Sequence, residues 1–385
     1  MEENCDVLII GGGPSGSIAA CKLLKAGFSV TILEKLEFPR FVIGESLLPK
    51  CNEVLESIGI LDVIKEQGFM LKPGAIFIDE NKIEEIIDFR DNLGQKCNTS
   101  FQVKREEFDN VLLQTAIKLG ADVRHKVEVI DYDNEKNIIY AQNEDGVKSS
   151  FKARFVLDAS GYGRVLPQLL NLDEPSDLKL RNAILTRMTG ETRRDKENEG
   201  FIDIVIHDDN KAWFWGIPFS DGVTSIGIVC EENYFLDTGL SKEEFLLKAI
   251  NSHKYLKEKY KNAKQVAPVR IINGYSASIK KMYGKGFAMS GNATEFLDPV
   301  FSSGVTLALE SSSRVASLII DELNGKEVDW QKDYEDYMMM GINVFREFVY
   351  AWYSGKLRKI FYAKNKSKQI KQSIASILSG YVWDE

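Results

Sequence analysis

The chain is poor in the side chains that mark metal and disulfide chemistry. Its 385 residues include 3 histidines and 5 cysteines. His125, His207 and His253 stand far apart, without the paired spacing that sets two imidazoles on one helix face, so no metal site is expected. Cys5, Cys21, Cys51, Cys97 and Cys230 are scattered, odd in number and without a C-x-x-C pair, and they read as reduced cytosolic thiols. Positive charge is also short: 49 Lys+Arg against 57 Asp+Glu gives a net charge of −8, with no global field to hold a polyanion. Nucleic acid is therefore not an expected partner. No apolar run approaches the roughly 18 residues of a membrane-spanning helix. The opening Met1 to Asp6 lacks the basic and apolar regions of a signal peptide. A cytoplasmic protein with no integral membrane segment is the expectation.

What is present is an ordinary globular composition, 44% apolar, 28% charged and 10% aromatic, long enough for two or three lobes. No internal repeat or low-complexity linker interrupts it. Val7 to Ile10 is a continuous apolar run, the pattern of a strand buried on both faces of a parallel sheet. A helical stretch from Ser17 to Ala26 stops at Gly27 before a second strand, Ser29 to Leu33, which completes a βαβ unit. Short strands are expected at Ala75 to Ile78 and Ile83 to Phe89, then a helix from Glu106 to Lys118. Strand-like segments recur at 127–157, and from Ile184 to Val229 the pattern suits an antiparallel sheet, the expected substrate lobe. Ser302 to Leu323 and much of the chain after Trp330 are helical in pattern.

Gly11, Gly13 and Gly16 form G-x-G-x-x-G between the first strand and helix, and Glu34 ends the next strand, 18 residues beyond Gly16. The first glycine permits a tight turn, the second lets the backbone approach a pyrophosphate, and the third allows close packing. The helix start meanwhile offers unpaired N–H groups. An acidic Glu34 suits a ribose hydroxyl and disfavours a 2′-phosphate, which leaves NAD or FAD.

Further segments decide between them by resemblance. Phe101-Gln-Val-Lys-Arg-Glu-Glu-Phe-Asp109, Asp158-Ala-Ser-Gly161 and Gly291-Asn-Ala293 resemble the FAD-binding signatures of the two-domain flavoprotein monooxygenases. Within that superfamily the chain resembles the flavin-dependent halogenases of phenols and pyrroles. Trp213-Phe-Trp-Gly-Ile-Pro218 resembles their W-x-W-x-I-P signature, and Phe296-Leu-Asp-Pro-Val-Phe-Ser-Ser-Gly304 their segment beside flavin and halide. Phe38-Pro-Arg40 through Gly44-Glu-Ser-Leu-Leu-Pro49 resembles the strap joining cofactor and substrate regions. Phe69-Met-Leu-Lys-Pro-Gly-Ala75 resembles the K-x-G-A context of the active-site lysine, here Lys72.

The resemblance implies a fold of mixed α/β class: a Rossmann-like FAD-binding domain (1–75, 100–170, 265–325) interleaved with an antiparallel substrate domain (76–99, 171–264), then a helical region (326–385). It implies a flavin cradle of Gly11, Gly13, Pro14, Ser15, Gly16, Glu34 and Lys35, continued by Arg40, Ser46, Gln102, Arg105 and Val127. Asp158, Ala159, Gly161, Gly291, Asn292, Pro299, Gly304 and Val305 complete it. It also implies reduced FAD (FADH2) delivered by a separate flavin reductase, with O2, and chloride or bromide held at Ser303 and Gly304. A flavin C4a-hydroperoxide would then oxidise halide, and Lys72 would steer the hypohalous acid either as an ammonium donor or through a haloamine. Trp213, Trp215 and Phe301 would line the substrate channel, the tryptophans as a wall, although plain core packing serves the pair equally well. Ser303 reads equally as a helix cap and Asp298-Pro299 as a simple turn.

Two departures refine the expectation. Asn292 replaces the family's usual aspartate and keeps an acceptor without its charge. Phe301 stands where halogenases of free tryptophan carry a glutamate, which favours a small aromatic that activates its own ring: a phenol, resorcinol or pyrrole, free or carrier-tethered. Aromatic hydroxylation, a geranylgeranyl-reductase-like saturation and a non-catalytic flavin-binding module are the alternative readings. The aromatics Phe345, Phe348, Tyr350, Trp352 and Tyr353 near the end read first as core.

Overall fold

The computed structural model describes residues 2–95, 97–208 and 211–383. Glu2–Ile10 forms the centre of a sheet ordered Tyr283–Gly284, Phe287–Met289, Lys148–Asp158, Glu2–Ile10, Val30–Glu34, Asp122–His125. Its four central pairings are parallel, with Val7 opposite Val30 and Phe155. The strand residues Val7 to Ile10 are fully buried because helices cover the sheet. Pro14–Lys25 packs on Arg105–Lys118 and on the long helix Ser303–Leu323. Gly27, at φ +90°, ends the first helix as its sequence position requires. The hairpin Val127–Asp133/Ile138–Asn143 adds antiparallel strands at the far end of Lys148–Asp158.

The second sheet is antiparallel through Arg181–Thr189, Val223–Glu231, Ala212–Pro218 and Ile202–His207, and then turns parallel where Ile202–His207 pairs Gly74–Ile78. Glu84–Asp88 closes that edge. Period-two alternation divides its side chains. Ala75 and Phe77 join the main core shared with the first sheet, whereas Ile76 and Ile78 join a second core under helix Lys242–Ser252 with Phe245, Leu246 and Ile250.

The chain crosses between sheets on two short ribbons. Met70–Lys72 pairs antiparallel with Ser100–Gln102, and Asp173–Glu174 with Ser278–Ile279, so each excursion leaves and returns side by side. The closing helices are Tyr337–Tyr353, Lys356–Phe361 and Lys368–Leu378. Phe345 and Trp352 are buried there while Tyr350 is 38% exposed, so the aromatic run is mostly core. Among the described residues no helix is long and apolar enough to cross a membrane.

Candidate active site

A cavity of about 620 Å³ lies where the glycine loop of the first sheet faces the tryptophan strand of the second. Its volume falls in the range of small-molecule and cofactor sites. One end is built by Gly11, Gly13, Pro14, Ser15 and Glu34. Gly11 holds φ +99°, and a Cβ there would sit 2.7 Å from Ala159 O. A Cβ on Gly16 would lie 2.0 Å from Gly11 O, so its bareness is a packing requirement of strand against helix. Gly13 differs: its Cβ would meet only Arg40 Nη2, at 3.3 Å, and would otherwise project into the cavity. That open cradle stands before a helix start whose N–H groups no side chain caps. Such a donor set fits a pyrophosphate. Glu34 accepts from Gly12 N and Leu36 N, each at 2.8 Å, which fixes its carboxylate on the rim where a ribose would lie.

Arg105 pins the strap over this end. It forms a bidentate pair with Asp109 (2.7 and 2.9 Å), and its third nitrogen donates to Ile43 O at 2.9 Å. Arg40 donates to the same Asp109 at 3.2 Å, so one fully buried carboxylate ties two guanidinium groups of the cavity wall. Gly44, at φ +111°, permits the approach, since a Cβ there would lie 2.9 Å from Arg105 Nη1. Its neighbour Glu45 is buried on the cavity edge and accepts from Arg187 at 2.7 Å. Burial pushes its carboxyl up against the opposing pull of Arg187.

The opposite wall is Trp213 and Trp215, with ring centroids 6.0 Å apart, beside Ile202, Ile204 and Ile217. Each indole N–H is satisfied behind the wall. Trp215 donates to Ser225 Oγ at 3.2 Å, and its ring lies over Gly227, where a Cβ would come within 2.2 Å. Trp213 donates at 3.0 Å to the Tyr353 hydroxyl, which itself donates to buried Asp298 at 2.8 Å; Tyr275 donates to the same carboxylate at 3.2 Å. The Arg181 guanidinium stacks 3.4 Å from the Tyr353 ring centre. Cavity wall and packed core are therefore the same residues seen from two sides.

Lys72 lies one residue behind the lining. Its Nζ donates at 2.8 Å to the carbonyl of Leu47, next to the lining residue Ser46. Cys51 Sγ is its neighbour and lies 3.2 Å from Thr306 Oγ1, next to the lining residue Val305. The Phe89 ring centre stands 5.2 Å from the ammonium. Lys72 is 1% exposed and has no carboxylate in ion-pair range among the described residues; burial pulls its amine down to about 7.

Of the residues singled out from sequence, Lys35, Arg40, Ser46, Val127, Ala159, Gly161, Asn292, Pro299, Gly304 and Val305 also line the cavity. Others stand behind it. Asp158 accepts from Ser160 N and Leu166 N and so shapes the turn. Gly291, at φ +61°, donates its N–H to Ser311 Oγ, and Gln102 donates to Gly200 O. Phe301 lies off the cavity, with its edge on Phe348 and Trp352. The helix cap is Ser302, at φ +58°, and not Ser303, which is buried as the first helical residue; Ser302 and Gly304 are the pair that reach the cavity. Asp298 caps the turn at Val300 N and also holds the two tyrosines, so it is more than a simple turn. Sequence reasoning missed Tyr162 and Ser290 on the lining and the link from Trp213 to the Tyr353 hydroxyl behind it; Phe296, which opens the recognised segment, also lines the cavity. Tyr162 and Ser290 adjoin recognised glycine turns, a signal that was available.

The chain matches the FAD binding domain family over residues 4–336. It is 31% identical to the 1H-pyrrole-2-carbonyl-(peptidyl-carrier protein) chlorinase of Pseudomonas fluorescens, covering 99% of this chain and 90% of that relative. Its structure is similar to that of a flavoprotein/dehydrogenase from Cytophaga hutchinsonii, at TM-score 0.94 and 43% identity over 99% of this chain and 94% of that one. It is also similar to the flavin-dependent brominase Bmp2, at TM-score 0.87 and 25% identity over 99% and 94%. An open phosphate cradle, a tryptophan wall and a buried lysine behind it thus coincide with these likenesses, and the chain belongs to the FAD-dependent oxidoreductases as a member of the flavin-dependent halogenase family.

Proposed function

We propose that this enzyme halogenates an electron-rich aromatic ring, a pyrrole held on a carrier protein being the best-supported substrate, and that Lys72 delivers the halogen. The observation that carries this reading is the solitary cation. A fully buried ammonium without a carboxylate is costly to fold around, and such perturbed groups concentrate at reactive sites. The relative from P. fluorescens, named for a carrier-tethered pyrrole, supports the substrate class over nearly the whole chain.

Reduced FAD bound in the cavity, supplied by a separate flavin reductase, would with O2 oxidise the halide to an electrophilic equivalent. Gly13, Ser15 and the first helix start hold its phosphates, and Glu34 and Arg40 lie at the ribose end. The N–H group of Gly304, at a helix start with no acidic residue in its first turn and beside the cavity-lining Ser302, supplies a donor for chloride or bromide, with that of buried Ser303 behind it. Trp213 and Trp215 keep the substrate ring away from the flavin, so hypohalous acid must travel to Lys72. There the ammonium donates to its oxygen, or the neutral amine forms N–X with release of water; an amine lowered to about 7 has both forms available at neutral pH. Phe301, packed on Phe348 and Trp352, offers no carboxylate to an indole N–H, which disfavours free tryptophan as the substrate.

The test supplies the enzyme with chemically reduced FAD, O2, bromide and either pyrrole-2-carbonyl-loaded carrier protein or a panel of phenols and pyrroles. Mass spectrometry should show bromine replacing ring hydrogen. Added oxygen, added hydrogen or unchanged substrate throughout would overturn the reading.

A further inference from the structure

In a chain of net charge −8, residues 356–371 hold Lys356, Arg358, Lys359, Lys364, Lys366, Lys368 and Lys371 and neither Asp nor Glu. Two of these are engaged at the sheet edge, Arg358 with Glu80 at 3.5 Å and Lys366 with Glu85 at 2.6 Å. The other five are exposed and make no ion pair among the described residues. The other carboxylates on that edge strand are also taken, Glu84 by Arg194 at 2.9 Å and Asp88 by Arg90. The positive field of the segment therefore faces outward. Set among these lysines are two apolar side chains, Ile360 at 43% and Ile370 at 45% exposure.

The position of this patch relates it to the reaction. Phe361 of the basic segment packs on Phe77 with ring centroids 4.6 Å apart. Helix Lys368–Leu378 lies against Glu84–Asp88 and the turn Phe89–Asp91, and the ring of Phe89 is the one that faces the Lys72 ammonium. The basic surface thus covers the outer side of the wall behind Lys72, away from the flavin cavity.

We infer that residues 356–371 form the docking surface for an acidic carrier protein that presents its tethered ring toward Lys72. The inference rests on the proposed carrier-bound substrate and adds where the carrier binds. Clustered cations around a few exposed apolar side chains suit a carboxylate-rich helical partner: charge speeds encounter and sets register, and the isoleucines supply the contact core. An anionic lipid surface is the weaker match. The apolar face of helix Lys368–Leu378 is spent inward, with Ile374, Ala375 and Leu378 buried, which leaves Ile370 alone to enter a bilayer.

The test is the charge-reversed enzyme Lys364→Glu/Lys368→Glu/Lys371→Glu beside wild type. Binding of fluorescently labelled pyrrole-2-carbonyl-loaded peptidyl carrier protein is titrated at 50 and 300 mM salt, with phosphatidylglycerol vesicles as a second arm. Wild type should bind the carrier with an affinity that falls at least tenfold between the two salt concentrations, because pairing across this surface is screened beyond about 8 Å at physiological salt. The triple variant should bind at least tenfold more weakly at 50 mM, while flavin binding and halogenation of free pyrroles stay within twofold. Equal carrier binding by both proteins overturns the inference, as does wild type that ignores the carrier and binds vesicles. Failure of the functional reading is separately visible, because an enzyme that halogenates no ring can still show, or lack, the charge-dependent carrier complex.

Discussion

Replacing Lys72 with methionine should separate the reaction from the fold, and pH should show it. Methionine fills a similar apolar volume and carries no charge. The fall of the Lys72 amine from 10.5 to about 7 corresponds, at about 1.4 kcal/mol per decade, to about 5 kcal/mol of cost for the ammonium in this site. The folded-state pKa lies below the unfolded one, so the unfolded chain binds the extra proton between pH 7 and 10.5. The cost is fully present below about pH 7 and shrinks as pH rises through that window. Against it stands the lost hydrogen bond to Leu47 O, about 1 kcal/mol. Lys72→Met should therefore be more stable than wild type at pH 6, by up to about 4 kcal/mol, and about 3 kcal/mol of that gain should vanish by pH 9. Urea unfolding of both proteins at the two pH values measures the difference and cancels every other titrating group. In the same samples, flavin binding should persist and halogenated product should disappear. A variant destabilised at pH 6, or a difference indifferent to pH, would refute the desolvated cation; retained halogenation would remove Lys72 from the chemistry.

Other perturbations probe the rest of the site. Gly13→Val should leave the chain folded, since only Arg40 Nη2 approaches a Cβ there, yet fill the phosphate cradle; the protein should purify colourless and fail to quench added FAD fluorescence. Gly227→Ala places a methyl 2.2 Å from the Trp215 ring and should cost about 1–3 kcal/mol in urea unfolding while lowering halogenation yield by opening the wall. Tyr353→Phe removes both the acceptor of Trp213 and a donor to Asp298, for about 1–3 kcal/mol, with flavin binding unchanged by fluorescence titration. Arg187→Ala leaves Glu45 buried without its cation and should cost about 3–5 kcal/mol at pH 8. Because burial already raises that carboxyl, the loss should be smaller at pH 5, where protonation relieves it.

Where a residue's role is local, the sequence made it legible. G-x-G-x-x-G between an apolar strand and a helix has one steric solution, and Gly11, Gly13 and Gly16 occupy it with the turn, open-cradle and contact roles expected from their spacing. The βαβ start follows from continuous apolar runs, the helix stop from Gly27 and the helix Arg105–Lys118 from a helical pattern, signals that neighbouring residues alone supply. What sequence left open depends on long-range packing. That Phe301 turns toward Phe348 and Trp352 is set by helix residues more than 40 positions downstream. The Trp213–Tyr353–Asp298 chain joins three segments no local pattern relates. Ser302 rather than Ser303 caps the helix because the preceding Pro299–Phe301 turn delivers it in a left-handed conformation, a one-residue phase that serine-serine cannot encode. Alternation could place Trp213 and Trp215 on one face of their strand, but only the facing glycine loop makes that face a wall.

The paired ribbons at Met70–Lys72/Ser100–Gln102 and Asp173–Glu174/Ser278–Ile279 make the second sheet two cassettes with adjoining ends. Each could be exchanged between relatives with little loop-closure cost, since a replacement need only match two neighbouring anchor points. The parallel seam between Gly74–Ile78 and Ile202–His207 ties the pair together, so grafting one cassette alone would leave that seam mismatched, whereas grafting both should transplant the whole tryptophan wall. Lys72 itself sits on an anchor strand, outside either cassette, so the buried amine stays with the host while the tryptophan pair travels with the graft.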